Sequence, residues 1–231
     1  MKKTIHGIVF DKDGTLFDFQ ATWGEWCAEL IADLAGGDPA TERGLALALG
    51  YDLAARRFRP ESAVIAGTVE VVISALRSVL PGREEAWLRA YVRESTSRAP
   101  QREAAPLGPL LDRLRAAGLA LGVATNDSEG PARAHLERAG VLDRFAFVAG
   151  YDSGHGAKPG PGMLEAFCRE TGLAPGACAM VGDSGHDLAS ARAAGMVRVA
   201  VLTGPASAAD LAPFADVVLP DIGRLPAWLG I

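Results

Sequence analysis

Short apolar runs alternate with helix-spaced apolar positions along most of this chain, and one long stretch breaks the alternation. Residues 4–10, Thr-Ile-His-Gly-Ile-Val-Phe, form a β-branched run stopped by the polar residues 11–15, the pattern of a buried strand ending in a loop. From about 18 to 100 the apolar positions fall at helical spacing: Trp23, Trp26, Cys27, Leu30, Ile31 and Leu34, then stretches within 45–53, 64–80 and 87–92. Asp38-Pro39 and Pro60-Glu61 predict helix starts in this segment, Gly36-Gly37 and Pro81-Gly82 predict stops, and no strand is expected in it. Beyond the polar, proline-containing stretch 99–109 the alternation becomes regular. Helices are predicted over 107–117, 129–139, 161–171 and 185–194, and strands over 119–124, 145–149, 178–181, 197–202 and 215–219.

Short strands alternating with helices imply crossover connections and a parallel sheet. The expected fold class is therefore α/β: a Rossmann-like parallel sheet flanked by helices, built from 1–17 plus 100–231, with an all-helical domain inserted over 18–99. No internal repeat or low-complexity segment disturbs this reading.

Composition changes the picture little. With 231 residues, 49% hydrophobic and 22% charged, the chain can bury one sizeable core or two modest ones. A net charge of −5 gives no broad electrostatic reason to bind a nucleic acid, while a small phosphate ester needs only local positive charge. Lys2 and Lys3 precede the apolar residues 5–10, but that stretch is too short for a secretory signal. No run approaches the roughly 18 apolar residues that span a bilayer, so no membrane partner and a cytoplasmic location are expected. Cys27, Cys168 and Cys178 lack zinc-ligand spacing and read as buried thiols.

In open parallel sheets ligands bind beyond the carboxyl ends of the strands. The residues at those ends are strongly polar: Asp11 and Asp13 after the first strand, Thr125-Asn126-Asp127-Ser128 after 119–124, and Gly182-Asp183-Ser184-Gly185-His186-Asp187 after 178–181. Lys158 stands in the loop Gly154-His155-Gly156-Ala157-Lys158-Pro159, just before a helix. This inventory suits phosphoryl transfer. Carboxylates from two loops offer the oxygen ligands that Mg²⁺ prefers, and Lys158 and Thr125 can offset or hold phosphate charge. One carboxylate can attack phosphorus, and a second two residues on is placed to move protons.

Asp-x-Asp-Gly-Thr after an N-terminal strand, a strand ending in Thr-Asn, a Lys-Pro before a helix and Gly-Asp-Ser-x-x-Asp after a strand together resemble the haloacid dehalogenase-like hydrolase superfamily, in its phosphoglycolate phosphatase-like branch. The likeness covers about 1–17 and 100–231; the insert matches only in position and helical character. The resemblance implies a Mg²⁺-dependent phosphatase acting on a small phosphorylated metabolite through an aspartyl-phosphate. It implies that Asp11 is the nucleophile and a metal ligand, and that Asp13 is the acid/base, its backbone carbonyl also on the metal. Thr125 and the Asn126 amide would bind phosphate, Lys158 would steady nucleophile and phosphate, Asp183 would bind Mg²⁺ directly, and Asp187 would do so directly or through water. The insert would be a cap that closes over the site. One departure is Lys12, where that branch usually has an apolar residue.

Plainer readings accompany each feature. Acidic residues after strands also form turns and N-caps; Thr125, Asn126 and Ser128 could cap the next helix; Asp183 and Asp187 could be a helix-terminal acid pair. His155 and His186 read as loop histidines, Trp23 and Trp26 as insert core with a possible place on the pocket wall, and Arg56, Arg57 and Arg59 as a solvated helix face. Among functions, a sugar phosphomutase on the same scaffold is the alternative. A dehalogenase would not need an acid at position 13, a receiver domain would carry its Asp on a later strand, and a non-catalytic subunit would be expected to lack one of these charges. Either a monomer or a homodimer fits the sequence.

Overall fold

The computed structural model describes residues 4–59, 61–65, 67–99 and 101–231; Lys2, Lys3 and Pro60 lie outside them. The chain begins with β1 (Gly7–Phe10), whose four residues are all buried. It then passes through a π-helical turn (Gln20–Gly24) into α1 (Glu25–Ala35) and α2 (Pro39–Leu49), a short ladder of β2 (Tyr51–Asp52) and β3 (Arg57–Phe58), and α3 (Val69–Val79) and α4 (Glu85–Arg98). The return segment alternates: α5 (Leu107–Ala116), β4 (Ala120–Ala124), α6 (Glu129–Arg138), β5 (Phe147–Ala149), α7 (Gly162–Thr171), β6 (Cys178–Gly182) and α8 (Gly185–Ala194). It ends with β7 (Val197–Val201), α9 (Ala208–Leu211), β8 (Val217–Leu219) and α10 (Leu225–Leu229).

Six strands form one parallel sheet in the order β5-β4-β1-β6-β7-β8. The unbroken apolar character of β1 follows from helices covering both faces. Ile8 and Phe10 pack with Leu111, Leu114 and Val181 on one side, while Val9 packs with Met163, Phe167 and Met180 on the other. In chain order the strands step from β1 to β4 and β5 on one side, then to β6, β7 and β8 on the other. Neighbouring crossovers therefore diverge at β1, and a crevice opens at the carboxyl ends of β4, β1 and β6.

Residues between 18 and 99 enclose a hydrophobic cluster of their own, including Trp23, Trp26, Leu30, Ile31, Leu45, Leu49, Tyr51, Phe58, Ile73, Leu76 and Leu88. The Asp38 carboxylate accepts from the Ala40 and Thr41 N–H groups with Pro39 in the first turn, and Gly36 ends α1 in the left-handed conformation, as the sequence predicts. Three expectations need correction. The segment does hold strand: Asp52 Oδ1 accepts from the N–H groups of Ala54 and Ala55, the turn passes through Arg56 at φ 50°, and Tyr51 pairs with Phe58. A two-residue ladder is too short to leave a period in the sequence. Arg56, Arg57 and Arg59 accordingly sit on and beside this hairpin and not on a helix face. Glu61 lies in a turn, and the helix predicted near it begins at Val69.

Candidate active site

The three strands at the crevice deliver the polar loops to one place. Asp11 stays in register one residue beyond β1, its N–H donating to the Val181 carbonyl at 2.8 Å, and Thr125 does the same beyond β4 through the Ala149 carbonyl at 3.0 Å. Asp11, Thr125, Lys158, Asp183 and Asp187 are all buried. The Lys158 ammonium donates to Asp11 Oδ1 at 2.5 Å and to Asp187 Oδ1 at 2.6 Å. Asp187 also serves α8: its Oδ2 accepts from the Ser184 N–H and hydroxyl in a capping box. Asp187 thus caps α8 and pairs with Lys158 at the same time.

Asp11, Asp183 and Asp187 each offer a carboxylate oxygen, and these atoms lie within 4.8 Å of one another. Three acids face one ammonium, and burial dominates the ionisation of Asp11 and Asp183. It pushes Asp11 up to about 7, with Lys158 opposing and Asp187 and Asp13 adding to the rise. Burial first, then the Asp11 and Asp187 charges, hold Asp183 well above the ordinary carboxylate range. The backbone makes room for that carboxylate: a Cβ at Gly204 would lie 1.7 Å from Asp183 Oδ2, and one at Gly14, itself at φ 86°, would lie 2.4 Å from it. An all-oxygen, under-compensated cluster of this kind fits a hard divalent cation such as Mg²⁺.

A cavity of about 510 Å³ opens above the cluster. Asp11, Asp13, Thr125, Asn126, Lys158, Asp183 and His186 line its floor, and Phe19, Trp23, Phe58, Val69, Val72, Arg89 and Arg93 line the opposite wall.

The model of the haloacid dehalogenase-like hydrolase family matches residues 5–195. The chain belongs to that family. Phosphoglycolate phosphatase of Rhodospirillum rubrum is 40% identical over 121 residues, 52% of this chain and 50% of that protein. The chain thus aligns with about half the length of the relatives it matches first, Chromobacterium violaceum phosphoglycolate phosphatase being another at 50%. Phosphoglycolate phosphatase of Cereibacter sphaeroides is 33% identical over 201 residues, 85% of this chain and 84% of that protein. Among solved structures, a HAD phosphatase from Thermococcus onnurineus superposes with a TM-score of 0.69 at 22% identity over 98% of both chains, a likeness of fold.

Within this family frame the remaining site residues separate. The Asp13 side chain lies outside the three-carboxylate cluster: its Oδ1 accepts from Lys12 Nζ at 2.8 Å and from Trp23 Nε1 at 2.7 Å. The Thr125 hydroxyl accepts from the Asp127 N–H at 3.0 Å, forming the turn that leads into α6. The Asn126 side-chain amide is spent on the Lys158 backbone, accepting from its N–H at 2.8 Å and donating to its carbonyl at 3.1 Å. Asn126 thereby fixes the loop from which the Lys158 ammonium projects.

Trp23 and Trp26 pack edge-to-face in the insert core, and both also reach the cavity wall. His155 tilts against Phe147. The Arg56 side chain pairs with Glu25 in solvent, outside the cavity lining. All three cysteines are buried and free. No helix among the described residues is long and apolar enough to cross a membrane.

Sequence reasoning missed several groups. Thr203 Oγ1 donates to the Gly14 carbonyl at 2.6 Å, and Thr15 Oγ1 to Asp183 Oδ1 at 3.4 Å, both bracing the loop that carries Asp13. Lys12 is buried beside Asp13 and Asp127. Burial alone would lower its pKa, but the Asp13 and Asp127 carboxylates outweigh that and raise it above the ordinary lysine value. The departure from an apolar residue at position 12 was the one signal that could have pointed here.

Proposed function

We propose that this chain is a Mg²⁺-dependent phosphatase that hydrolyses a small phosphorylated metabolite through an aspartyl-phosphate on Asp11, with 18–99 acting as a cap over the 1–17 and 100–231 core. The observation that carries the reading is the buried Asp11, Asp183 and Asp187 cluster clamped by Lys158 at the floor of a cavity. The names of the relatives in Rhodospirillum rubrum and Cereibacter sphaeroides support a phosphoglycolate-like ester as the first substrate to test.

Mg²⁺ would be held by Asp11, Asp183, Asp187 and the Asp13 backbone carbonyl, and would supply neutralisation of phosphate charge. Lys158 holds Asp11 aimed along one Oδ direction and brings a second positive charge to the phosphate. As the Asp11 oxygen bonds to phosphorus, the bond to the leaving oxygen breaks and Asp13 gives that oxygen a proton. Water then attacks the aspartyl-phosphate, returns the proton to Asp13 and restores the Asp11 carboxylate. The Asn126 side chain holds the loop that carries Lys158, and phosphate oxygens would be met by the Thr125 hydroxyl and the Asn126 amide.

The test is Asp11→Asn against wild type on p-nitrophenyl phosphate, with and without Mg²⁺. We expect a loss of at least about 10³-fold in kcat, and chelation of the metal from wild type to reproduce most of it. Undiminished metal-dependent turnover in the variant would defeat the nucleophile assignment. A sugar phosphomutase on this scaffold would instead isomerise a sugar monophosphate without releasing inorganic phosphate.

A further inference from the structure

Next to the phosphate floor lies a second buried cation that the reaction as proposed leaves without a task. Lys12 has no exposed surface, and an apolar side chain of similar size would fill the same space without the cost of stripping water from a charge. Its surroundings are built for the ammonium. Nζ donates to Asp13 Oδ1 at 2.8 Å, lies 2.7 Å from Asp13 Oδ2 and 3.4 Å from Asp127 Oδ2, and sits 5.3 Å from the Trp23 ring centre.

The fourth neighbour is His135, buried in α6, whose Nδ1 is 3.1 Å from the ammonium and whose Nε2 is 2.9 Å from the Thr96 carbonyl. An ammonium can only donate and a carbonyl can only accept, so these partners fix the tautomer: Nδ1 accepts and Nε2–H donates. Burial, followed by the Lys12 charge, pushes His135 down to about 4, which keeps the ring neutral and Nδ1 able to accept.

The hydrogen bonds therefore run in one direction, from Lys12 to His135 to the last turn of α4, while Trp23 Nε1, from the π-helical turn, donates to Asp13 Oδ1. Both ends of the 18–99 insert are thus linked to one carboxylate, Trp23 directly and Thr96 through His135 and Lys12. Asp13 Oδ1 accepts two hydrogen bonds, from Lys12 and Trp23. Oδ2, which among the described residues meets the Lys12 ammonium alone, has lone-pair capacity left toward the leaving group.

We propose that Lys12 is a positioning residue for Asp13, braced by His135 against the Thr96 carbonyl, and that the pair sets which Asp13 oxygen meets the leaving group. Lys12 keeps its protons throughout; the proton that reaches the ester oxygen comes from Asp13. This inference rests on the reading of Asp13 as general acid in an Asp11-based phosphatase. Its consequence is a dependence on the leaving group, because a poor leaving group needs the proton and an acidic phenol departs without it.

The experiment compares kcat/KM for phenyl phosphate and for 2,4-dinitrophenyl phosphate in wild type, Asp13→Asn, Lys12→Met and His135→Leu, each with Mg²⁺. Because kcat/KM reports only steps up to departure of the phenol, later hydrolysis does not mask the difference. Asp13→Asn sets the full bias against phenyl phosphate. Lys12→Met is expected to lose at least about tenfold more on phenyl than on dinitrophenyl phosphate, mainly in kcat, and His135→Leu to show a smaller bias of the same sign. Equal losses on the two esters in both variants would overturn the proposal, and if Lys12→Met does not fold, the His135→Leu ratio decides it. Absence of bias in Asp13→Asn would instead remove the general-acid reading of Asp13, and absence of wild-type turnover on either ester would remove the phosphatase reading beneath it.

Discussion

Two buried lysines meet at the loop of Asp11 and Asp13, each between two aspartates, and they differ in what they connect. Lys158 joins Asp11 to Asp187, so its cluster is made of the loop after β1, the loop before α7 and the first turn of α8, all in the sheet domain. Lys12 joins Asp13 to Asp127, and its cluster continues through Trp23 and through His135 to Thr96, both in the insert. The first is a rigid floor whose geometry depends on sheet register. The second depends on where the insert sits. On the proposed mechanism, this division would put attack on loops tied to the sheet and proton delivery on a carboxylate tied to the insert.

The sharpest way to break the comparison is to remove each cation. Lys158→Met leaves Asp11 and Asp187 facing each other in a buried site; we expect kcat to fall by on the order of 10² to 10³-fold for both activated and poor leaving groups. A leaving-group bias in Lys158→Met as large as in Lys12→Met would erase the distinction between the two clusters.

A smaller effect concerns stability. The unfolded chain binds a proton at His135 near 6.5 and the folded chain only near 4, so between those values the unfolded state holds more protons. Stability from this residue is therefore complete above pH 6.5 and declines as pH falls toward 4, by at most about 3 kcal/mol. Denaturant unfolding of wild type and His135→Leu across this range should show the slope flattening in the variant, while the raised carboxylates of Asp11 and Asp183 contribute to both and cancel. Parallel slopes would show that His135 is not held neutral by its neighbours. The smallest effect expected is from Arg56→Ala, which removes a solvent-exposed pair with Glu25 outside the cavity lining. Activity and melting temperature should be unchanged, and a fall in kcat/KM would place the Arg56 side chain in the substrate path.

The asymmetry between the clusters also decided what the sequence disclosed. Asp11, Thr125, Lys158 and Asp183 each follow a strand or precede a helix that hydrophobic periodicity marks, so parallel topology alone predicts that they meet. The Lys12 cluster has no such grammar. Its members at 23, 127 and 135 are separated by many residues, and the contact with Thr96 depends on how α4 packs against α6. Position 12 was visible only as an unusual residue in a familiar motif. Similarly, spacing cannot show that the Asn126 side chain holds the Lys158 backbone through both ends of its amide. The β2–β3 ladder stayed hidden because two residues carry no alternation.

The account turns on Asp11 becoming covalently phosphorylated. Rapid acid quenching of the protein mixing with Mg²⁺ and 2,4-dinitrophenyl phosphate, followed by peptide mass spectrometry, reads this directly. The prediction is a peptide containing Asp11 heavier by one phosphoryl group, present in wild type and absent in Asp11→Asn. A phosphoryl group on any other residue, or steady turnover with no phosphorylated peptide under conditions that trap the intermediate in Asp13→Asn, would contradict it.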